Sequence, residues 1–320
     1  MKVQIEDVRK LMEEKLAAKG LSGEDAAVIA DEYLDGELRG RHSHGLMSFP
    51  NAIKRAKEIT GPIQIEKDGP AYALVNGNGN PGQLVGKFMM ELAIKKARGA
   101  GVAIVGSYNH PSYLMPGYQV RRAMKEGLIG IVIDNSKAAV VPHGGIDPVY
   151  GPNPIGIGIP SKTTPIVVDM ATSVHAKGDT RYAKKFGKLL PENYALDKEG
   201  NTTRDPDEFY ALLPFGGHKG YCLGLAIEVL AGPMVNAKVG TDEGSRGFMF
   251  QVIDPSKFVG QDEFEEKVAR LAEQVKSSRK ADGVEEIFLP GEHSERIKQE
   301  NLKNGFIEVD DKLWEEIKAL

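Results

Sequence analysis

The sequence predicts an α/β fold in which strands and helices alternate in the middle of the chain, between helical segments at both ends. Apolar residues recur at helical spacing near the start of the chain, over 261–278, over 292–303 and around Trp314. Between these segments, apolar runs of strand length are separated by turns rich in glycine and proline. This alternation is typical of α/β proteins.

The chain opens with amphipathic helices. Residues 3–19 carry an apolar stripe, and Gly20 is placed to end that helix. Ser22 is expected to cap a second helix, with Asp25 three residues later in the capping-box position. A third helical piece is expected over 51–59.

A glycine motif between two predicted strands tests for a Rossmann fold. Residues 77–82 read G-x-G-x-x-G and lie between a strand over 71–75 and a long helix, which leads to a strand over 101–106. A Rossmann unit should carry an acidic residue at the end of the second strand, but this strand leads into Ser107. Pro81 also removes a backbone donor from the supposed phosphate loop. We therefore predict a turn here and a fold other than Rossmann.

Further strands are expected in the middle of the chain, and one of them predicts a ligand site. A helix through 174–186 follows the strand that ends at Asp169, and ligands often bind at the carboxyl end of such a strand. These further strands are expected over 130–134, 154–160, 165–169 and 247–253.

Composition excludes several classes of protein. Acidic residues number 45 against 41 basic ones, for a net charge of −4, which does not favour a nucleic-acid partner or a polybasic membrane surface. No apolar run approaches the roughly 18 residues needed to span a bilayer. The first residues lack the apolar core of a signal peptide. We expect a cytoplasmic protein.

The cysteine count agrees with that expectation. Cys222 is the single cysteine, which excludes an internal disulfide and favours a reducing compartment. It lies in a helix predicted over 221–230, whose core face is expected to carry Leu223, Ile227 and Leu230. We interpret Cys222 as a small core residue of that helix.

The loop before that helix predicts an anion site. Residues 213–220 deliver Gly216, Gly217, His218 and Lys219 to the helix N-terminus. Free backbone N–H groups and the helix dipole attract anions there, and paired glycines let successive N–H groups face one ligand. A phosphate or pyrophosphate is the expected ligand. The alternative is a glycine-rich turn with a solvated lysine.

Histidine is the side chain best suited to exchange a proton near neutral pH. His44, His110 and His218 all lie in loops marked by glycine or proline, where functional sites tend to occur. Each could equally be a surface histidine. His42 and His44 form an H-x-H pair, but without a further Cys/His cluster at ligand spacing we expect no metal.

Several motifs taken together resemble those of a known family. Ser43, His44 and Gly45 are followed by Pro50, and the densest matches lie in later segments. These segments are 169–173, 190–191, 195–201, 213–220 and 290–292. On these residues the chain resembles the type-2 malate/L-lactate dehydrogenases over nearly its whole length. This NAD(P)-dependent group includes sulfolactate and ureidoglycolate dehydrogenases, 2,3-diketogulonate reductase and Δ1-piperideine-2-carboxylate reductases.

The resemblance implies a non-Rossmann NAD(P)-binding fold with three parts. These are a helical N-terminal part (1–65), a central α/β cofactor-binding domain (66–255) and a helical C-terminal part (256–320) that packs with the first. The implied reaction is hydride transfer between nicotinamide and a small 2-hydroxy, 2-oxo or cyclic imino acid. The cofactor is NAD or NADP, the partner is a small-molecule substrate, and the protein is expected to be a homodimer.

The resemblance also implies roles for individual residues. His44 would exchange a proton with the substrate, and Ser43 and Asp179 resemble its supporting relay, in which an acid stabilises the imidazolium. His110 matches a histidine described as the acid/base in some members and is the second candidate. The implied cofactor-binding residues are His110, Asp169, Met170, Ala171, Lys177, Gly178, Gly217, His218, Lys219, Pro290, Gly291 and Glu292.

The substrate side departs from the family pattern. Ser48 stands where members commonly carry an arginine that binds the substrate carboxylate in bidentate fashion. Pro152 replaces a threonine that often contacts substrate, and Pro111-Ser112 replaces the usual Phe-Gly after His110. We expect an unusual substrate, or a carboxylate held by other basic residues. The candidates for that role are Arg39, Arg41 and Lys54.

Two alternative functions follow from these observations. A protein that kept the nicotinamide pocket and lost the carboxylate-binding arginine would be a catalytically silent binding protein. A metal-dependent hydrolase or lyase would instead use His42 and His44.

Overall fold

The computed structural model describes residues 1–56 and 59–320. The helices are α1 (Ile5–Ala17), α2 (Gly23–Leu38), α3 (Phe49–Arg55), α4 (Gly82–Ala100), α5 (Pro116–Lys125), α6 (Lys177–Lys185), α7 (His218–Leu230), α8 (Gln261–Lys276), α9 (Glu292–Asn304) and α10 (Asp311–Lys318). The strands are β1 (Lys2–Gln4), β2 (Gln64–Asp68), β3 (Tyr72–Asn76), β4 (Val102–His110), β5 (Ile129–Asp134), β6 (Ile155–Ile159), β7 (Ile166–Met170), β8 (Ala195–Leu196), β9 (Thr202–Thr203), β10 (Ala211–Leu212), β11 (Arg246–Ile253) and β12 (Phe306–Glu308). The predicted α/β class is confirmed.

The central sheet is mixed, with the order β2-β3-β4-β11-β5-β6-β7. Helix α4 joins β3 to β4, and these two strands are parallel. The other neighbour of β4 is β11, which comes from much later in the chain and runs antiparallel. The glycine turn before α4 therefore does not begin a Rossmann unit, and the prediction of a different fold is confirmed.

Helices cover both faces of this sheet. Adjacent strand residues point to opposite faces, so Val132 packs in the cluster that holds α4 and α5, whereas Ile133 packs with α7. Glycines let α5 approach closely. A Cβ on Gly156 would lie 2.6 Å from Pro116 Cβ, and one on Gly158 would lie 2.6 Å from Met124 Sδ. This contact brings the start of α5 to the sheet edge that forms the site.

The two ends of the chain share one hydrophobic core. Strand β1 pairs with β12, and the buried Met12 of α1 and Leu34 of α2 belong to the same cluster as Trp314 and Ile317 of α10. The Ser22 cap is confirmed, since Asp25 N donates to Ser22 Oγ at 3.1 Å. The division of the chain at residues 65 and 255 stays a prediction.

Several element boundaries differ from the prediction. The helix expected over 51–59 is α3, which ends at Arg55, and residues 57–58 of that range lie outside the described residues. The helix expected over 174–186 begins only at Lys177. Helix α5 was missed because few of its positions are apolar. Strands β8 to β10 were missed because each is only two residues long. Within the described part of the chain, no helix combines the length and apolar character needed to cross a bilayer.

The predicted burial of α7 was wrong in part. Ile227 is 2% exposed, but Leu230 is 39% exposed and Cys222 is exposed as well, so Cys222 is not a core residue. The helix instead buries Gly224 against Tyr150, where an added Cβ would lie 2.6 Å from the ring. It also buries Glu228, a polar residue that hydrogen bonds to the core. Helix α7 therefore turns the side that carries Gly224 and Glu228 toward the protein interior, and apolar side chains such as Leu230 are left on its outward side.

Candidate active site

Two cavities lie along strand β7. The first, which we call the His44 cavity, has a volume of about 590 Å³, and the second, the Gly291 cleft, has about 1380 Å³. Asp169 and Met170, at the end of β7, line the cavity, whereas Val167 of the same strand lines the cleft. The predicted ligand-binding strand end therefore borders a cavity.

The His44 cavity lies where the sheet edge faces the helical part of the chain. The sheet edge and its loops contribute Ser112, Met115, Pro116, Asp134, Ser136, Lys137, Pro152, Asp169, Met170, Ala171 and Ser173. The helical part contributes Tyr33, Arg41, Ser43, His44, Ser48, Asn51 and Arg55. The start of α6 contributes Lys177, Gly178, Asp179 and Arg181.

His44, Ser43 and Asp179 form a hydrogen-bonded relay in this cavity. Ser43 Oγ donates to Asp179 Oδ1 at 3.0 Å and lies 3.0 Å from His44 Nδ1. Because the serine hydrogen is used toward the carboxylate, the serine oxygen accepts from a protonated Nδ1. This arrangement leaves Nε2 of His44 as the ring nitrogen for a substrate.

The surroundings of His44 favour its neutral form. Burial lowers the pKa of His44 below its ordinary value, and the positive charges of Arg41 and Arg181 act in the same direction. The negative charge of Asp179 opposes them and stabilises the imidazolium. The imidazole therefore suits proton exchange, with a carboxylate ready to stabilise the charged form.

Helix α2 and two glycines position the turn that carries Ser43 and His44. Ser43 and His44 lie in a single 3₁₀ turn over His42–His44. A side chain on Gly45 would overlap the carboxylate of Glu37, which accepts from Leu46 N at 2.9 Å. A Cβ on Gly178 would lie 3.1 Å from Ser43 Cβ, so the glycine lets α6 bring Asp179 to the turn.

His42 is committed to a different contact. Its Nδ1 lies 2.6 Å from Glu37 Oε1, and this hydrogen bond raises the pKa of His42. Among residues 1–56 and 59–320, no group of three or more His, Cys, Asp and Glu side chains is arranged to hold a metal ion.

His110, the second acid/base candidate, lies in a different environment. It is 3% exposed at the end of β4, with its ring centroid 3.9 Å from that of Phe248. Its Nε2 lies 2.7 Å from Ser107 Oγ and its Nδ1 lies 3.1 Å from Pro111 O. Burial lowers the pKa of His110 to about 4. It is not among the described residues that line either cavity, so its catalytic role stays a prediction.

The predicted cofactor residues fall into three groups. Asp169, Met170, Ala171, Lys177 and Gly178 line the His44 cavity. Gly291 and Glu292 line the cleft, and Pro290 O accepts from Val167 N at 2.9 Å, which joins this group to β7.

Gly217, His218 and Lys219 form the third group. His218 and Lys219 are exposed, and none of the three lines either cavity among the described residues. Their loop is nevertheless attached to the cavity wall, since Phe215 N donates to Thr172 O at 3.1 Å and Val174 N donates to Leu213 O at 2.8 Å.

The predicted substrate residues are also divided. Ser48 and Pro152 line the His44 cavity, and Ser48 Oγ donates to Ser43 O at 2.7 Å, which supports the turn that carries Ser43 and His44. Arg39 lines the cleft instead, and its guanidinium is bound by two carboxylates. Its Nε donates to Asp35 Oδ2 at 2.7 Å and its Nη1 donates to Glu295 Oε2 at 2.6 Å.

Of the other predicted basic residues, Arg41 lines the His44 cavity, whereas Lys54 is exposed and is not among the lining residues. Sequence reasoning missed Arg55, Lys137 and Arg181, which also line it. Helical spacing could have linked Arg55 to Ser48, seven residues earlier. The resemblance placed Asp179 of α6 beside His44, but nothing in the sequence distinguishes Arg181 from the other basic residues of that helix.

Asp134 is a further missed residue. It is the last residue of β5, and Asp169 is the next to last residue of β7, so an acidic residue near a strand end was an available signal. Asp134 accepts a hydrogen bond from the Tyr113 hydroxyl at 2.7 Å, and burial raises the pKa of Asp134 to about 7. Removal from water also raises the pKa of Asp169.

Comparisons with known proteins agree with this architecture. A sequence model of the malate/L-lactate dehydrogenase family matches residues 3–318. The chain is 40% identical to the L-sulfolactate dehydrogenase of Methanothermobacter thermautotrophicus, over 99% of this chain and 95% of that protein.

Two solved structures extend the likeness. The sulfolactate dehydrogenase from Methanocaldococcus jannaschii has a TM-score of 0.91 and 37% identity, over 100% of this chain and 96% of that one. The Δ1-piperideine-2-carboxylate reductase from Pseudomonas syringae pvar. tomato has a TM-score of 0.87 and 30% identity, over 100% and 99%. The chain therefore belongs to the malate/L-lactate dehydrogenase family and is an oxidoreductase.

Proposed function

We propose that this protein transfers a hydride between NAD or NADP and a small 2-hydroxy, 2-oxo or cyclic imino acid, with His44 as the proton donor and acceptor. The relay of His44, Ser43 and Asp179 in the His44 cavity carries this proposal. The names of the relatives, which act on sulfolactate and on Δ1-piperideine-2-carboxylate, support the substrate class.

His44 handles the proton in either direction. In reduction, Nε2 gives a proton to the carbonyl oxygen or imine nitrogen as the carbon receives a hydride. In oxidation, the neutral imidazole takes the proton from the hydroxyl or amine. Asp179 stabilises the imidazolium through Ser43 in both directions, because a carboxylate favours the charged ring.

The residues present fit a dinucleotide cofactor. Strand β7 connects the two cavities, and Val167 and Met170 lie about 10 Å apart along it at the usual rise per residue. Lys177, in the His44 cavity, has no ion-pair partner among the described residues and could hold a phosphate. Gly291 and Glu292 would hold the far end in the cleft. When bound, the nicotinamide supplies or accepts the hydride.

The loop at the start of α7 is a second candidate for phosphate contacts. Gly216 and Gly217 have positive φ values of 55° and 63°, which few side chains adopt, and they turn the backbone into the helix N-terminus. His218 and Lys219 are exposed beside them. This loop joins the cavity wall at Val174, so we assign it to the cofactor side of the site.

We also propose that the protein is a homodimer through the outward face of α7. The exposed apolar side chains of this face lie next to one another, whereas exposed apolar residues on a monomer are normally scattered singly. The face consists of Cys222, Leu225, Val229, Leu230 and the nearby Met234. Val229→Glu should convert a dimer to a monomer in light scattering, whereas Lys10→Glu, on the exposed side of α1, should not. A wild-type monomer at micromolar concentration would overturn this part of the proposal.

A cofactor titration and a substrate panel test the main proposal. NADH and NADPH are titrated by fluorescence, and 2-oxo acids and cyclic imines are then screened by nicotinamide absorbance. We expect tight binding of at least one cofactor and turnover of at least one panel member. Cofactor binding without any turnover would favour the silent binding protein, and failure to bind either cofactor would contradict the proposal.

A substitution then isolates the role of His44. His44→Gln should lower kcat by about 10²- to 10⁴-fold, which is the range of general acid–base catalysis, and leave the cofactor Kd within about twofold. His293→Gln, at an exposed position on α9, is the matched control. Loss of cofactor affinity together with activity in His44→Gln would mean that His44 is structural.

A further inference from the structure

The His44 cavity contains more cationic side chains than its own carboxylates balance. The basic residues that line it are Arg41, Arg55, Lys137, Lys177 and Arg181, and the acidic ones are Asp134, Asp169 and Asp179. Within the described ranges, none of the five basic side chains is in a salt bridge. Burial raises the pKa of Asp134 to about 7, so Asp134 carries less than a full negative charge near neutral pH. This balance favours an anionic ligand.

Arg55 lies on the same face of α3 as Ser48. Ser48 is the N-cap of α3, and Asn51 and Arg55 follow it by three and seven residues. This spacing places the three side chains in one row along a helix, and all three line the His44 cavity. Side chains on a helix lean toward its N-terminus, so Arg55 extends back along the row toward Ser48.

Arg181 approaches from another element. It lies on α6, one turn after Lys177 and two residues after Asp179. The positive charge of Arg181 lowers the pKa of His44 and opposes the rise in the pKa of Tyr33. Arg55 acts on the Tyr33 hydroxyl in the same way. Arg55, Arg181 and Tyr33 all line the His44 cavity, and both arginine charges are near enough to act on the Tyr33 hydroxyl.

We propose that Arg55 and Arg181 together bind the acid group of the substrate. They would replace the arginine that members of the family commonly carry at the position of Ser48. The proposal rests on the proposed function. Ser48 cannot supply the charge, and its hydroxyl is used to support the turn at Ser43 O. Two guanidinium groups from different helices can bind both oxygens of one carboxylate or sulfonate.

The other cations fit different roles. Lys177 adjoins Gly178, another residue that the resemblance assigns to the cofactor, and both line the cavity. Burial lowers the pKa of Lys177, and the positive charges of Arg181 and Lys137 act in the same direction. We assign Lys177 to the cofactor. The positive charge of Arg41 acts to lower the pKa of His44 and the pKa of Asp169. Arg55 and Arg181 remain as the two guanidinium groups of the cavity lining without another role, one on the helix that Ser48 caps and the other on α6 after Asp179, and this placement assigns them to the substrate. Substrates should therefore need a negative group, and the amide of an acid substrate should be a poor one.

Four variants test this assignment. Arg55→Met and Arg181→Met remove one guanidinium each. Lys54→Met and Lys184→Met are the matched controls, since they remove exposed cations from α3 and α6 outside the cavity lining. Each arginine variant should raise KM for the best acid of the panel by about ten- to a hundredfold, in keeping with charge-assisted hydrogen bonds. The KM of its amide and the Kd of NADH should stay within about twofold.

Arg55→Lys separates charge from geometry. It keeps one positive charge but loses the paired donors, so its KM for the acid should lie between those of the wild type and Arg55→Met. Thermal melting identifies any variant that has lost its fold. Equal changes for the acid and its amide, or a loss of NADH affinity instead, would overturn the proposal.

Oxalate binding separates this proposal from the proposed function. Oxalate is an acid that a hydride cannot easily reduce, so its affinity for the NADH complex needs no turnover. If the wild type binds oxalate and both arginine variants bind it at least tenfold more weakly, the assignment stands even without turnover of any panel acid. If turnover is found but oxalate affinity is the same in all variants, the assignment is wrong and the proposed function stands.

Discussion

Replacing Asp179 by asparagine tests the proton relay directly. The substitution keeps the size of the side chain and removes the charge that stabilises the His44 imidazolium through Ser43. An asparagine amide could also donate to Ser43 Oγ, which would turn the serine hydrogen toward His44 and favour the other tautomer of the ring. Reduction should slow, because it needs a proton on Nε2 in a ring with both nitrogens protonated.

The structure sets the size of the effect. Nδ1 of His44 and Oδ1 of Asp179 are each 3.0 Å from Ser43 Oγ, so at most about 6 Å separates them. Two opposite charges at that distance attract by about 3 kcal/mol at an effective dielectric constant of 20 and by about 0.7 kcal/mol in water. The Asp179 side chain is 45% exposed, so solvent screens the pair. We expect a loss of about 1 to 1.5 kcal/mol, or roughly five- to tenfold in kcat/KM.

The pH profile of kcat/KM for reduction is the decisive assay. Reduction requires the imidazolium, so activity falls as pH rises through the pKa of His44. Removing the carboxylate lowers that pKa further, and the falling limb should move to lower pH in Asp179→Asn. Asp207→Asn, an exposed surface position, should leave the limb in place. A slower Asp179→Asn enzyme with an unmoved limb would refute the relay.

Three other substitutions test the remaining structural arguments. Glu32 is 0% exposed and burial raises its pKa well above the ordinary value, so its contribution to stability is present at low pH and is lost as pH rises through the raised pKa. Glu32→Gln should therefore melt at a higher temperature than the wild type, by a margin that grows from pH 5 to pH 9. Gly45→Ala should lower stability by about 2 kcal/mol or more and reduce kcat, because its methyl group would overlap the Glu37 carboxylate that holds the turn carrying Ser43 and His44. Arg39→Met should lower the melting temperature by several degrees and leave KM for the acid substrate unchanged, because both of its ion pairs are structural.

Each of these has a result that would contradict it. A pH-independent difference between Glu32→Gln and the wild type would mean that Glu32 is charged at all these pH values, with Glu24→Gln on the exposed side of α2 as the control. Full activity and unchanged melting in Gly45→Ala would mean that the turn adapts to a side chain. A raised KM in Arg39→Met would restore the sequence-based expectation that Arg39 binds substrate.

Local patterns in the sequence predicted much of the fold. The Ser22 cap, the strand that ends at Asp169 and the helices at both ends of the chain depend on neighbours within a few residues, and the structure contains all of them. Helix α7 was harder to predict because it is apolar on nearly every side. Whether Leu230 or Glu228 is buried depends on the Asn135 and Asn153 side chains, which come from distant loops.

The site shows the same division. The Ser43-His44-Gly45 motif is continuous in the sequence, and the resemblance alone connected it to Asp179, 136 residues from Ser43. Arg181 has no distinguishing pattern, and the only signal for Arg55 is its helical spacing from Ser48. Among the described residues both line the cavity, whereas Lys54 and Lys184 on the same helices do not. The loop before α7 was predicted to be an anion site from its glycines. How far that loop lies from the His44 cavity could not be predicted from the sequence.

The sequence by itself determined most of the longer helices and strands, the fold class and the chemistry available to the protein, because helical period, strand length and caps act over short separations along the chain. The tertiary structure alone decided which charges meet. Arg39 is held by two carboxylates, one of them on α9, whereas Arg55 and Arg181 point into a shared cavity without an ion pair among the described residues. The physical reason is that burial and Coulomb interactions depend on distances in space, and packing between distant segments sets those distances.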